Sequence, residues 1–168
     1  MIKKIMLLFL TGFVFAGCSN VTPSQASDSQ TSESTDVLLT DEEYFDELVP
    51  LMPVVNADNY NSDDYGFYDY KDLMREPGKY TSAKVKIINA KIIQVIDAGK
   101  YTEYLITTPN DDIYMAIIES DRLETKLLED DVVYFNGRPL LTYKYPTTGG
   151  TLKEVPLIYI DAYMLTEQ

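Results

Sequence analysis

The stretch from Val85 to Ile96 constrains the fold of this chain more than any other. Valine and isoleucine dominate it, and apolar residues alternate as in a half-buried strand. Val85 and Ile87 share one face, but the phase slips at Ile87-Ile88 and again at Ile92-Ile93. A strand that changes phase twice carries bulges and curves strongly. Asp97-Ala98-Gly99-Lys100 then signals a hairpin, and Tyr101 to Thr108 reads as the second strand. Ile113 to Ile118 is the third, after the turn Pro109-Asn110-Asp111-Asp112. Ser120 to Leu128 is polar with spaced leucines, Leu123, Leu127 and Leu128, and predicts a short helix or turn. Asp131 to Tyr145 is the fourth strand, bent or broken at Gly137 and Pro139. Thr147-Thr148-Gly149-Gly150 makes a hairpin tip, and Val155 to Met164 is the fifth strand. Pro156 near its start is tolerable at a strand beginning or an edge.

Ahead of the strands, Tyr70, Leu73 and Met74 lie at i, i+3 and i+4 on one helical face, and Pro77-Gly78 ends that helix. The order is helix, three strands, a helical connection, two strands. With a bent first strand, this order marks an OB-fold, a five-stranded Greek-key barrel; a plain β-sandwich fits the same periodicity. The expected fold class is therefore mainly β: a five-stranded OB-fold-type Greek-key barrel over residues 67–168, preceded by a short helix and a disordered N-terminal linker.

The segment Tyr70-Lys71-Asp72-Leu73-Met74-Arg75-Glu76-Pro77-Gly78-Lys79-Tyr80, followed by Val85 to Val95, resembles the OB-fold proteins similar to the tRNA-anticodon-binding domain. So do Leu128 to Gly137, Leu141-Thr142-Tyr143, Thr148-Gly149-Gly150 and Pro156. The resemblance covers about Asp69 to Leu165. It implies a barrel of that type, of a kind found in surface lipoproteins of Gram-positive bacteria, but no catalytic residue, because fold does not fix function.

The front end reads as an address. Lys3 and Lys4 precede an apolar run from Ile5 to Phe15, too short for a bilayer span of ~20 residues but suited to a secretory leader. Phe15-Ala16-Gly17-Cys18 follows, and Cys18 is the only cysteine. This resembles a bacterial lipoprotein signal peptide with its lipobox, departing from the usual Leu at Phe15. The resemblance implies a leader over residues 1–17 and a lipid anchor, of diacylglyceryl and palmitate type, on Cys18. Two acyl chains hold a protein stably on a membrane, so the expected location is the extracytoplasmic face of the cell membrane. Residues 18–40, rich in Ser and Thr, are expected to be a disordered spacer. Residues 41–66 form an acidic lead-in. It opens with a short amphipathic helix, Asp41 to Leu48, capped by Thr40 or Asp41 and stopped by Pro50 and Pro53.

Residue types narrow the chemistry. The chain has 14 basic and 27 acidic residues, no His and no Trp. Losing Lys3 and Lys4 with the leader leaves 12 against 27, a formal charge of −15. Without His the commonest general base and metal ligand is missing, and no serine sits in a G-x-S-x-G or S-x-x-K setting. No enzyme activity, cofactor or metal is expected. Asn59, Asn61 and Asp63 alternate as in a calcium loop, but Asp64 stands where Gly belongs and Tyr70 where Glu belongs. A solvated loop fits residues 58–66 better. Acidity also argues against nucleic acid, since phosphate binding draws on cations. The lysines along the first strand, Lys84, Lys86 and Lys91, read as a solvated face.

There remain the 14 tyrosines. Most suit β-sheet packing, but OB-folds bind oligosaccharides and peptides on the second and third strands and adjoining loops. That geometry nominates Lys100, Tyr101, Arg138, Tyr143, Lys144 and Tyr145 as ligand-binding residues. Tyr104 and Tyr114 face either the ligand or the core. The function expected is a non-catalytic binding module for a partner protein or a cell-wall glycan or peptide. The alternatives are a tether that recruits a basic protein through the acidic 41–72 segment and, less favoured, a single-stranded nucleic-acid binder.

Overall fold

A computed structural model describes residues 39–166; the leader, Cys18 and nearly all of the spacer lie outside the described residues. Five strands, β1 (Val85–Ala98), β2 (Tyr101–Thr107), β3 (Ile113–Glu119), β4 (Val132–Pro146) and β5 (Leu152–Leu165), close into a barrel in the order β1-β2-β3-β5-β4. All neighbours are antiparallel except β3 and β5, which run parallel. That connectivity makes the domain an OB-fold barrel, not a sandwich.

The phase slips in the first strand are physical bulges. The pairing of β1 with β4 shifts register between Ile87 and Ala90, and with β2 between Ile92 and Gln94. Asn89 takes a left-handed φ of 51° at the first slip. These two irregularities let one strand pair with both β2 and β4 and so close the barrel. β4 bends where Gly137 and Pro139 stand, with register shifts at Asn136/Gly137 and Pro139/Thr142. At Gly137 a Cβ would lie 2.6 Å from the Tyr159 carbonyl oxygen, so only glycine lets β4 approach β5 this closely.

Inward residues form an apolar interior that includes Ile92, Tyr104, Ile106, Tyr114, Ile118, Phe135, Ile158 and Ile160. Tyr104 and Tyr114 therefore belong to the core. Helix α2 (Tyr70–Arg75), capped by Asp69, packs buried Leu73 and half-buried Tyr70 against this interior, with the Tyr70 ring edge-on to Tyr114 at 5.2 Å.

The expected connection between the third and fourth strands shrinks to a single 3-10 turn, Ser120–Arg122. Leu123, Leu127 and Leu128 are spaced for a helix, yet only Leu127 is fully buried while Leu128 is 54% exposed. The chain is more irregular here, and one leucine rather than a helical face plugs the interior.

Candidate functional site

Alternation gives the barrel a second, outward-facing apolar set. On β2, Tyr101, Glu103 and Leu105 are buried; on β3, Met115 and Ile117; on β5, Val155, Leu157 and Tyr159. The residues between them on the same strands, Tyr104, Ile106, Ala116, Ile118 and Ile158, face the interior. A strand face that points away from a barrel's interior needs another element over it to be dry. Here the cover is the chain's own acidic lead-in.

Helix α1 (Asp41–Leu48) has Thr40 as N-cap, and Thr40 and Glu43 cap each other reciprocally in a capping box. A 3-10 turn, Val49–Leu51, continues it through Pro50. Phe45 and Met52 are buried in the outer cluster, with Tyr44, Leu48 and Val49 packed around them. The Phe45 ring stands edge-on to Tyr101 at 5.5 Å and lies 6.0 Å from Tyr143. Polar contacts pin the helix at both ends. Asp46 accepts from the Lys100 ammonium at 2.6 Å and from the Tyr101 hydroxyl at 2.8 Å. Hydrogen bonds from Lys100 and then Tyr101 hold the Asp46 carboxyl below its usual range. Burial first, then the bond to Asp46, pushes the Tyr101 phenol up to about 12. At the N-terminal end the Tyr143 hydroxyl donates to Asp41 Oδ1 at 2.8 Å.

Of the sequence-nominated residues, the structure thus brings Lys100, Tyr101 and Tyr143 together, but beneath α1. Tyr145 is half-buried at the edge of the same cluster, and Lys144 is exposed beside it on β4. Arg138 is placed differently from expectation. It lies in the bent part of β4, 3% exposed, and forms a bidentate ion pair with Asp161 at 2.6–3.0 Å. Its remaining nitrogen donates to the Pro53 carbonyl. All three guanidinium nitrogens are engaged by protein acceptors, which makes Arg138 the anchor of the lead-in.

The loop at residues 58–66 is solvated along its polar residues, as expected, but it is tied to the barrel through its two tyrosines. Tyr65 is buried, and its hydroxyl donates to Asp161 Oδ2 at 2.8 Å. Tyr60 packs on the Tyr65 ring at 5.6 Å and accepts from Asn136. Asp64 is taken by Lys84 at 2.6 Å, and among the described residues no cluster of His, Cys, Asp or Glu could hold a metal ion. Of the basic stripe, Lys84 and Lys91 are paired with Asp64 and Asp130.

Beside the lead-in, a cavity of about 480 Å³ opens between Val49, Met52, Lys100, Arg122, Arg138 and Tyr159. Arg122 donates to Glu119, to the Tyr159 hydroxyl and to the carbonyls of Ile160 and Asp161. Both arginines of this cavity are committed to protein acceptors.

Sequence reasoning missed Glu103, Asp161, Phe45 and Met52. Glu103 had a signal: a lone charge between Tyr101 and Leu105 at same-face spacing in an apolar strand. Both its carboxylate oxygens are buried without a hydrogen-bond partner. Burial, reinforced by Asp41 and eased by Tyr143, pushes its carboxyl up to about 7.

No protein-family model matches the chain, and no curated protein does. Among solved structures, a mitochondrial single-stranded DNA binding protein of S. cerevisiae is similar at 14% identity and a TM-score of 0.37, over 50% of this chain and 92% of that one. A protein described as an aspartyl-tRNA synthetase from Leishmania major Friedlin is similar at 12% identity and a TM-score of 0.44, over 74% of this chain. The match spans 25% of the synthetase chain. At these scores neither likeness carries weight, and the OB-fold assignment rests on the barrel's own connectivity.

Proposed function

We propose that the chain is a membrane-anchored, extracytoplasmic lipoprotein whose barrel is a non-catalytic module that binds a peptide segment of a partner protein on the outer face of β2, β3 and β5. The observation that carries this reading is that the face already accommodates a peptide, its own residues 41–53, through Phe45, Met52 and the Asp46 contacts with Lys100 and Tyr101. The ligand chemistry follows from that occupant: an apolar aromatic anchor for the pocket beside Tyr101, and a carboxylate for Lys100. Support for the anchor comes from the residue pattern ending at Cys18. The non-catalytic reading rests on residue types, with no His in the chain and its one Cys at the lipidation position.

The acidic lead-in as a contact for a basic partner has less support. Asp46, Asp64 and Glu43 are engaged by Lys100, Lys84 and the Thr40 cap. Nucleic acid is also disfavoured on this face, where Glu103, Glu119 and Asp161 accompany cations that are already paired.

An amide NMR titration of the Phe45→Ala chain tests the reading with three additions: a synthetic peptide of residues 40–53, muropeptides, and oligo-dT. Shifts at Tyr101, Leu105, Met115 and Ile117 with the peptide alone are expected. Shifts there with muropeptides or oligo-dT alone would replace the peptide by a glycan or a nucleic acid. Radiolabelled palmitate should enter the wild type in its bacterial host and not Cys18→Ser; label persisting in the variant would remove the anchor.

A further inference from the structure

The cover over the β2–β3–β5 face is unevenly fastened. Its C-terminal end is tied to the barrel at a buried ion pair, where Arg138 holds Asp161 and also donates to the Pro53 carbonyl. Tyr65, further along the chain, bonds the same Asp161. The N-terminal end rests on a short helix, which is marginal by itself, on the Phe45 ring, and on contacts to Asp46 and Asp41. Under that end lies Glu103, fully buried with neither carboxylate oxygen bonded.

A buried carboxyl without a partner is tolerable when neutral and costly when ionised. The groups around Glu103 sharpen this. Its register neighbours on β1 and β3 are Ile96 and Ile117, which offer no charge. From α1 it faces Asp41, a like charge, and from β4 the Tyr143 phenol, which donates to Asp41 and, lying close by, only partly eases the ionised form of Glu103. The cation nearest in sequence, Lys100 in the turn before β2, is taken by Asp46, and Tyr101 donates to the same carboxylate.

We propose that residues 41–53 are a releasable cover on the ligand face of the barrel, and that Glu103 is the latch that couples its release to pH. This deepens the peptide-binding reading and rests on it for the meaning of the face, though not for the motion itself. The direction follows from proton affinity. With the cover closed the Glu103 carboxyl titrates near 7; exposed, it would return to its ordinary value near 4.5. The closed state thus binds the proton more tightly. Closure is favoured on the acid side, loses ground above about pH 4.5, and carries its full disadvantage above about 7. A shift of that size changes the open-to-closed ratio by up to a few hundred-fold. Arg138 and Asp161 stay fixed as the hinge, so opening swings the helix away without freeing Pro53.

The test is amide protection and the carboxyl carbon signal of Glu103 in the full, lipid-anchored chain in detergent micelles, from pH 5 to 8.5. Protection at residues 44–48, corrected for intrinsic exchange, should fall by roughly a hundred-fold across the range while β4 and β5 stay protected. Glu103→Gln should hold the cover shut throughout. Asp41→Asn, which removes the like charge and leaves the core intact, should lower the pH at which Glu103 titrates under the cover and shrink the fall in protection. A cover equally protected at pH 5 and 8.5 would overturn the latch, as would a Glu103→Gln chain with the wild-type profile. No ligand enters this experiment, so a failure here is distinct from a failure of the peptide titration.

Discussion

The barrel has two buried surfaces, and they are built on different rules. The interior is walled by its own paired strands, closed by Leu73 of α2 and by Leu127, and filled by apolar side chains, with two tyrosines as its most polar buried members. The outer face of β2, β3 and β5 is also largely buried, yet it holds Glu103 and Asp161, with Arg138 reaching in from β4, and its lid is a short helix and a proline turn. An interior sealed by backbone pairing has no alternative state short of unfolding. A face sealed by a segment with few contacts has one, because that segment opens at a lower free-energy cost than the barrel.

Truncations should separate the two surfaces. Phe135→Ala, in the interior, should lower global stability by about 3–5 kcal/mol, read as one cooperative shift of the urea midpoint. Arg138→Ala strands Asp161 as a buried, uncompensated charge and should cost a similar ~3–5 kcal/mol; replacing both partners with apolar residues of similar volume should recover most of that loss. Phe45→Ala should behave differently. It removes the cover's main anchor, worth about 1.5–3 kcal/mol of burial, so residues 41–53 should lose protection while the barrel's midpoint barely moves. A barrel that melts as far with Phe45→Ala as with Phe135→Ala would erase the comparison. The smallest effect belongs to Thr40→Ala, which breaks the capping box and should weaken α1 by about 1 kcal/mol, visible in the cover's exchange rates alone.

How well each surface could be read from sequence follows the same division. The interior announces itself through period-two alternation, and even its irregularities do. The slips at Ile87-Ile88 and Ile92-Ile93 and the bend at Gly137 and Pro139 all reappear as register shifts. The helix Asp41–Leu48 was legible from its cap and prolines. Where that helix docks was not, because docking depends on partners distant in sequence: Phe45 on Tyr101, Asp41 under Tyr143. The same limit hid the role of Arg138, which reads as a ligand-facing cation of the fourth strand until Asp161 is brought beside it. Ser120 to Leu128, read as a short helix or turn, keeps only the turn, since its leucine spacing offered a helix that tertiary packing of Leu127 alone did not need.

Whether the cover is a separate, weaker unit lying on the outer face of β2, β3 and β5 is open to one direct measurement: native-state hydrogen exchange of the full chain at a single pH. The account predicts two tiers, with amides of residues 44–52 exchanging through an opening at least ten-fold easier than that of residues 103–106 and 114–118. Exchange of both sets at one rate, with one denaturant dependence, would mean that the lead-in is an integral part of the barrel and that the face beneath it is simply core.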